Sequence, residues 1–105
     1  MILGSENLPE TTATSELVEA LLRDDERRGT WLLLRDEADD GPFVQTVEDG
    51  DGFALEWSSG SDAPLQRVSR VLSRDETLSA FLAFLAGDTN WTLNYDWTDV
   101  DLSAE

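Results

Sequence analysis

Phe43-Val44-Gln45-Thr46-Val47-Glu48-Asp49-Gly50-Asp51-Gly52-Phe53-Ala54-Leu55-Glu56-Trp57 is the stretch that decides the fold class. Two runs rich in β-branched and aromatic residues flank an acidic, glycine-containing stretch suited to reversing the chain, so the segment reads as a β-hairpin. Alternation places Phe53, Leu55 and Trp57 on one face of the second strand. Asp49-Gly50-Asp51-Gly52 also matches the opening of a calcium loop. Phe53 then stands where the third ligand belongs and Gly60 where a bidentate glutamate is required, so a plain β-turn is the better reading.

Upstream, Asp39-Asp40-Gly41-Pro42 is a turn signal, and with Asp36 and Glu37 it forms a solvated acidic loop. It separates the hairpin from Trp31-Leu32-Leu33-Leu34, a short apolar run whose length favours a central strand buried on both faces. Earlier still, Leu17, Val18, Leu21 and Leu22 fall on one helical stripe that starts at a Ser15 cap and stops at Gly29. Glu19–Arg23 and Asp24–Arg28 are acid-first pairs four apart along it. Residues 1–14 are polar and threonine-rich around Pro9 and read as a flexible N-terminal arm.

Downstream, 58–64 is a loop and Leu65 to Leu72 is predicted as a fourth strand. Ser73-Arg74-Asp75-Glu76 is a capping box that opens a second helix with Leu78, Phe81, Leu82 and Leu85 as its stripe. Ala80, Ala83 and Ala86 allow that helix to approach the sheet closely, and Gly87 ends it. Asn90 to Leu102 mixes aromatic and acidic residues and is expected to add an edge strand or wrap the core. The order predicts one α+β domain over 15–105. Its architecture is a two-layer sandwich, a four- to five-stranded antiparallel meander with two helices on one face.

Composition narrows the chemistry. The 105 residues include 23 acids and 7 arginines, giving a formal net charge of −16, and there is no Lys, His or Cys. Four Trp and four Phe within a 40% hydrophobic chain supply enough apolar material for a core. Lack of His removes imidazole bases and ligands, lack of Lys removes Schiff-base chemistry, and lack of Cys removes thiolates and disulfides. The remaining catalytic option is a carboxylate pair, with Glu48 and Glu56 the best candidates. So short a chain hardly encloses the cleft such a pair needs. No catalytic residue, metal ligand or cofactor is therefore assigned.

The acidic field repels nucleic acid and anionic lipid and makes a basic protein the natural partner. The competing view is a structural or regulatory domain whose acidity serves solubility or a salt-rich habitat. The N-terminus has neither a basic region nor a long apolar run, so no signal peptide or membrane span is expected and cytoplasmic residence follows. Asn90-Trp91-Thr92 matches a glycosylation acceptor, which carries little weight without secretion. Oligomeric state stays open. The candidate partner-binding set is Trp57, Trp91, Tyr95, Asp96, Trp97, Asp99 and Asp101, aromatic anchors interleaved with steering charges. Alternatively, the Trp91 and Trp97 rings seal the open side of a small core while the acids face water.

Phe43-x-Gln45, Gly52-Phe53-x-Leu55-Glu56-Trp57, Phe81-x-x-Phe84-Leu85-x-Gly87-Asp88 and Trp91 through Trp97 resemble small bacterial proteins. Among these are Imm1-like immunity proteins of polymorphic toxin systems. The resemblance covers about the last two thirds of the chain and implies a compact α+β protein that blocks a cognate toxin by occupying its surface. Many such toxins are nucleases or deaminases with basic substrate channels. No functional residue carries over from it.

Overall fold

In a computed structural model that describes residues 1–38, 40–60 and 62–100, the deciding segment forms two antiparallel strands, β4 (Phe43–Asp49) and β5 (Gly52–Ser58). Asp49 faces Gly52, which leaves Gly50-Asp51 as a two-residue turn. Only Gly50 has positive φ there, the glycine-first arrangement of a type II′ turn. Gly52 is required for a different reason. A Cβ at that position would stand 2.5 Å from the Leu72 carbonyl oxygen, because the chain at Leu72 bridges back onto Phe53.

Around this hairpin lies a seven-stranded antiparallel sheet accompanied by three α-helices. The strands are β1 (Ile2–Ser5), β2 (Leu8–Thr12), β3 (Trp31–Arg35), β4, β5, β6 (Gln66–Val68) and β7 (Trp97–Asp99), in spatial order β2-β1-β3-β4-β5-β6-β7. The expected meander is thus the middle of a wider sheet. Residues 2–12 form a hairpin at one edge, not a flexible arm. Leu3 is fully buried against the core, and Pro9 is tolerated because β2 is an edge strand that offers one side to solvent. The Glu6-Asn7 turn grips the corner before β3. Glu6 accepts hydrogen bonds from the Thr30 amide (2.7 Å) and hydroxyl (3.0 Å), which lower its pKa. Asn7 donates to the Glu26 carbonyl.

The helices α1 (Ser15–Arg23), α2 (Asp25–Arg28) and α3 (Arg74–Leu85) lie on one side of the sheet. Thr14, rather than Ser15, caps α1, accepting from the Leu17 amide. The capping box of α3 is complete. Ser73 Oγ accepts from the Glu76 amide, and Glu76 accepts from the Ser73 amide. The core joins Val18, Leu21 and Leu22 of α1 and Phe81 and Phe84 of α3 to Leu32, Leu34, Val44 and Leu55 of the sheet. The predicted fourth strand is interrupted: β6 ends at Val68, and the chain rejoins the sheet only at the Phe53–Leu72 bridge.

The first helix also departs from its expected length. It breaks at Asp24, whose side chain caps α2 by accepting from the Arg27 amide. Arg28, the last residue of α2, folds its guanidinium back under the end of α1 and is wholly buried. Nη1 donates to the Leu21 and Leu22 carbonyls at 2.8 and 2.9 Å, Nε donates to the Gly29 carbonyl, and Nη2 reaches Asp25 and Glu48. All five guanidinium protons are used, and the ion sits 5.2 Å from the centre of the Phe53 ring. The expected Asp24–Arg28 pair is thus replaced by Asp25 and Glu48, whereas Glu19–Arg23 forms as predicted.

Arg28→Met is expected to lower the unfolding free energy by about 2–3 kcal/mol, because the buried Leu21 and Leu22 carbonyls lose their donor, while Asp25 and Glu48 can turn to water. Arg28→Lys should recover little, since an ammonium cannot match five donors in a planar fork. Urea unfolding of the three proteins checks both statements.

Candidate partner-binding site

The aromatic residues singled out in the sequence are gathered into one cluster. Trp57 on β5, Trp91 in a short 3-10 helix (Asn90–Asn94) and Trp97 on β7 form a mutual triad. Ring centres are 5.7 Å apart for Trp57–Trp91 and Trp91–Trp97, and 6.1 Å apart for Trp57–Trp97. Tyr95 adds an edge-on contact to Trp97 at 6.2 Å. These tilted and T-shaped contacts pair positive ring edges with negative faces. Trp97 Nε1 donates to the Thr92 carbonyl, which locks the 3-10 turn onto β7. The cluster closes the core at the β5–β7 end of the sheet.

Exposure divides the set. Trp91 is 5% exposed and belongs to the core, whereas Trp57, Tyr95 and Trp97 are half-buried. Asp96 and Asp99 are exposed beside them. Asp99 accepts from Gln66 across the β6–β7 pair at 2.9 Å, and the Asp96 carbonyl accepts from the Ser69 amide and hydroxyl. Asp101 lies outside the described residues. The corner therefore offers a rim of ring edges and carboxylates over a filled interior.

A charged relay ties this corner to the start of α3. Arg70 grips both Glu76 oxygens, at 3.2 and 2.6 Å, while its guanidinium lies 5.9 Å from the Tyr95 ring centre. The hydrogen bond from Arg70, then that from the Ser73 amide, hold the Glu76 carboxyl down at about 2. Burial, followed by the Glu76 charge, pushes the Tyr95 phenol above its usual range.

The alternative pair of carboxylates is not assembled. Glu48 lies opposite Phe53 and Glu56 opposite Gln45, so the two project from opposite faces of the sheet. Glu48 serves Arg28, and Glu56 is held by Gln45 and by both Nε and Nη2 of Arg67. Among the described residues no group of three or more acids is placed to hold a metal ion. No helix among them is long and apolar enough to cross a membrane.

A second surface escaped the sequence reading. The side of the sheet opposite the helices carries Ile2, Trp31, Leu33, Phe43, Val47 and Ala54 in register. Trp31 and Val47 are 42% and 39% exposed. Leu33 was expected to be covered, yet its face has no helix over it. The signal was present in the sequence. An apolar residue at every position of Trp31–Leu34 demands cover on both faces, and two amphipathic helices supply it on one.

No protein-family model matches this sequence, and no curated protein or solved structure matches it either.

The Glu76 contact predicts a pH dependence. The native carboxyl ionises at a lower pH than the unfolded one, so its stabilisation is complete above about pH 4.5 and is lost as pH falls towards about 2. Unfolding titrations repeated across that window should show a shallower acid limb for Glu76→Gln than for the native chain.

Proposed function

We propose that this chain is an acidic binding module that occupies a basic site on another protein, in the manner of the immunity proteins its sequence resembles. The observation that carries the reading is uncompensated charge. Of the seven arginines, Arg23, Arg28, Arg35, Arg67, Arg70 and Arg74 are each already paired with an acid of this chain. Those cations are matched by acids of the same chain, and the net −16 acts on the surroundings through exposed carboxylates.

Such a field repels polyphosphates and draws cationic surfaces, raising the rate of encounter with a basic protein. A basic substrate channel on a toxin is a suitable target, because a rigid acidic fold entering it imitates the polyanion the channel evolved to hold. Asp96, Asp99 and Asp101 act as steering charges in this reading, and the half-buried Trp57, Tyr95 and Trp97 offer ring edges beside them. Trp91 contributes by holding that rim in place.

Affinity capture from the source cell, followed by stopped-flow association with the recovered partner, tests the proposal. The partner should be basic, and its association rate should fall by about tenfold or more between 50 and 500 mM salt as the field is screened. A neutral or acidic partner, or an association rate indifferent to salt, would sink the idea.

A further inference from the structure

We infer that the basic partner docks on the open face of the sheet, through a surface whose aliphatic side chains are rimmed by arginine or lysine. This rests on the binding role proposed above, but leaves the corner acids to steer at range and moves the contact itself from the β5–β7 corner to the opposite, open face. An antiparallel sheet with one solvated face ordinarily carries polar residues there. Here the solvated face presents exposed Trp31 and Val47, directly opposite one another on neighbouring strands, with half-buried Leu33 and Phe43 continuing the patch. Large exposed apolar groups contiguous on one face mark an interaction surface more strongly than the same groups scattered singly.

The surroundings of that patch specify its occupant. Two ion pairs flank it, Glu10–Arg35 towards β2 and Glu56–Arg67 towards β6. Beyond them stand further acids. Asp49 is exposed on the same face near the Trp31 end of the strands, and the acidic connection of Asp36, Glu37 and Asp40 reaches the Phe43 end through Ala38 and Gly41, with Glu37 already 3.7 Å from the N-terminal ammonium. Shallow clefts of about 180 Å³ beside Trp31, Gln45 and Val47 and about 170 Å³ beside Leu33 and Phe43 give the surface relief for small aliphatic side chains. An apolar centre inside an acidic frame is complementary to an apolar centre inside a basic frame. A second copy of the chain is the wrong occupant, since each copy brings a net −16 and the same acidic frame.

The arrangement also supplies its own reporter. Trp57, Trp91 and Trp97 pack against one another on the far side, so Trp31 is the one tryptophan on the open face. The probe is a synthetic twelve-residue peptide alternating leucine and arginine, with a serine–arginine peptide of equal charge as control. At 50 mM salt the leucine peptide is expected to bind at least about tenfold more tightly than the control and to shift tryptophan emission. The emission change should vanish in Trp31→Phe while binding persists. Trp31→Ser combined with Val47→Ser should reduce leucine-peptide affinity to that of the control, with the circular dichroism of the fold retained.

Equal affinity for the two peptides, or a preference unaffected by the Trp31 and Val47 substitutions, overturns this location while leaving the acidic-module reading standing. Failure of both peptides to bind at low salt removes that reading too. Light scattering that shows a dimer abolished by Trp31→Ser would give the face to a second copy and likewise overturn the inference.

Discussion

Burial of the Arg28 guanidinium is the constraint on which the rest of the structure depends. A cation out of contact with water is costly unless every proton finds an acceptor and the charge finds a counter-ion. Here the acceptors come from three places in the chain: the last carbonyls of α1, the Asp24–Gly29 corner, and Glu48 on β4. Meeting that demand fixes where α1 stops, how sharply the chain turns into β3, and how β4 lies relative to the helices. The N-terminal hairpin fastens to the same corner through Glu6 and Asn7, at the Ser5–Leu32 end of the β1–β3 pairing.

This explains which parts of the fold were legible in the sequence. The β4–β5 hairpin and α3 were, because their signals are local. Gly50 supplies a turn conformation, and Ser73 with Glu76 closes a helix end within four residues. The edge hairpin was not, because nothing local in Leu8-Pro9-Glu10-Thr11-Thr12 recommends a strand. It is held by pairing with β1, which is itself held by β3 across the whole of α1 and α2. The break at Asp24 was hidden for a related reason. An arginine four residues after an aspartate looks like a solvated helix pair until Glu48, twenty residues later, is known to face it.

The candidate site divides along the same line. Clustering of Trp57, Trp91, Tyr95 and Trp97 was foreseeable as a set of large rings near one end of a small core, but their relative burial depends on packing across β5, β7 and the 3-10 turn. The relay from Glu76 through Arg70 to Tyr95 joins residues that local reading treats separately, a helix cap and an aromatic tail. The open face was misjudged by assuming that a continuous apolar run is covered on both sides. That assumption holds for a sheet sandwiched between helices, and all the helices described here lie on one side.

An asymmetric cover of this kind has a physical consequence for how the molecule meets others. Charge acts at range and without regard to which face is presented, so a field of −16 attracts cations of every kind without selecting among them. Apolar contact acts only at touching distance and depends on shape. Under the proposed binding role, selectivity would come from a surface where apolar groups are exposed and fixed in register. The half-buried rings at the β5–β7 corner are largely committed to one another. On the open face, the backbone ladder of β3 and β4 holds Trp31 and Val47 in place while leaving them uncovered. Rigidity there costs the complex little ordering entropy when it forms, because a strand interior offers fewer alternative conformations than a loop.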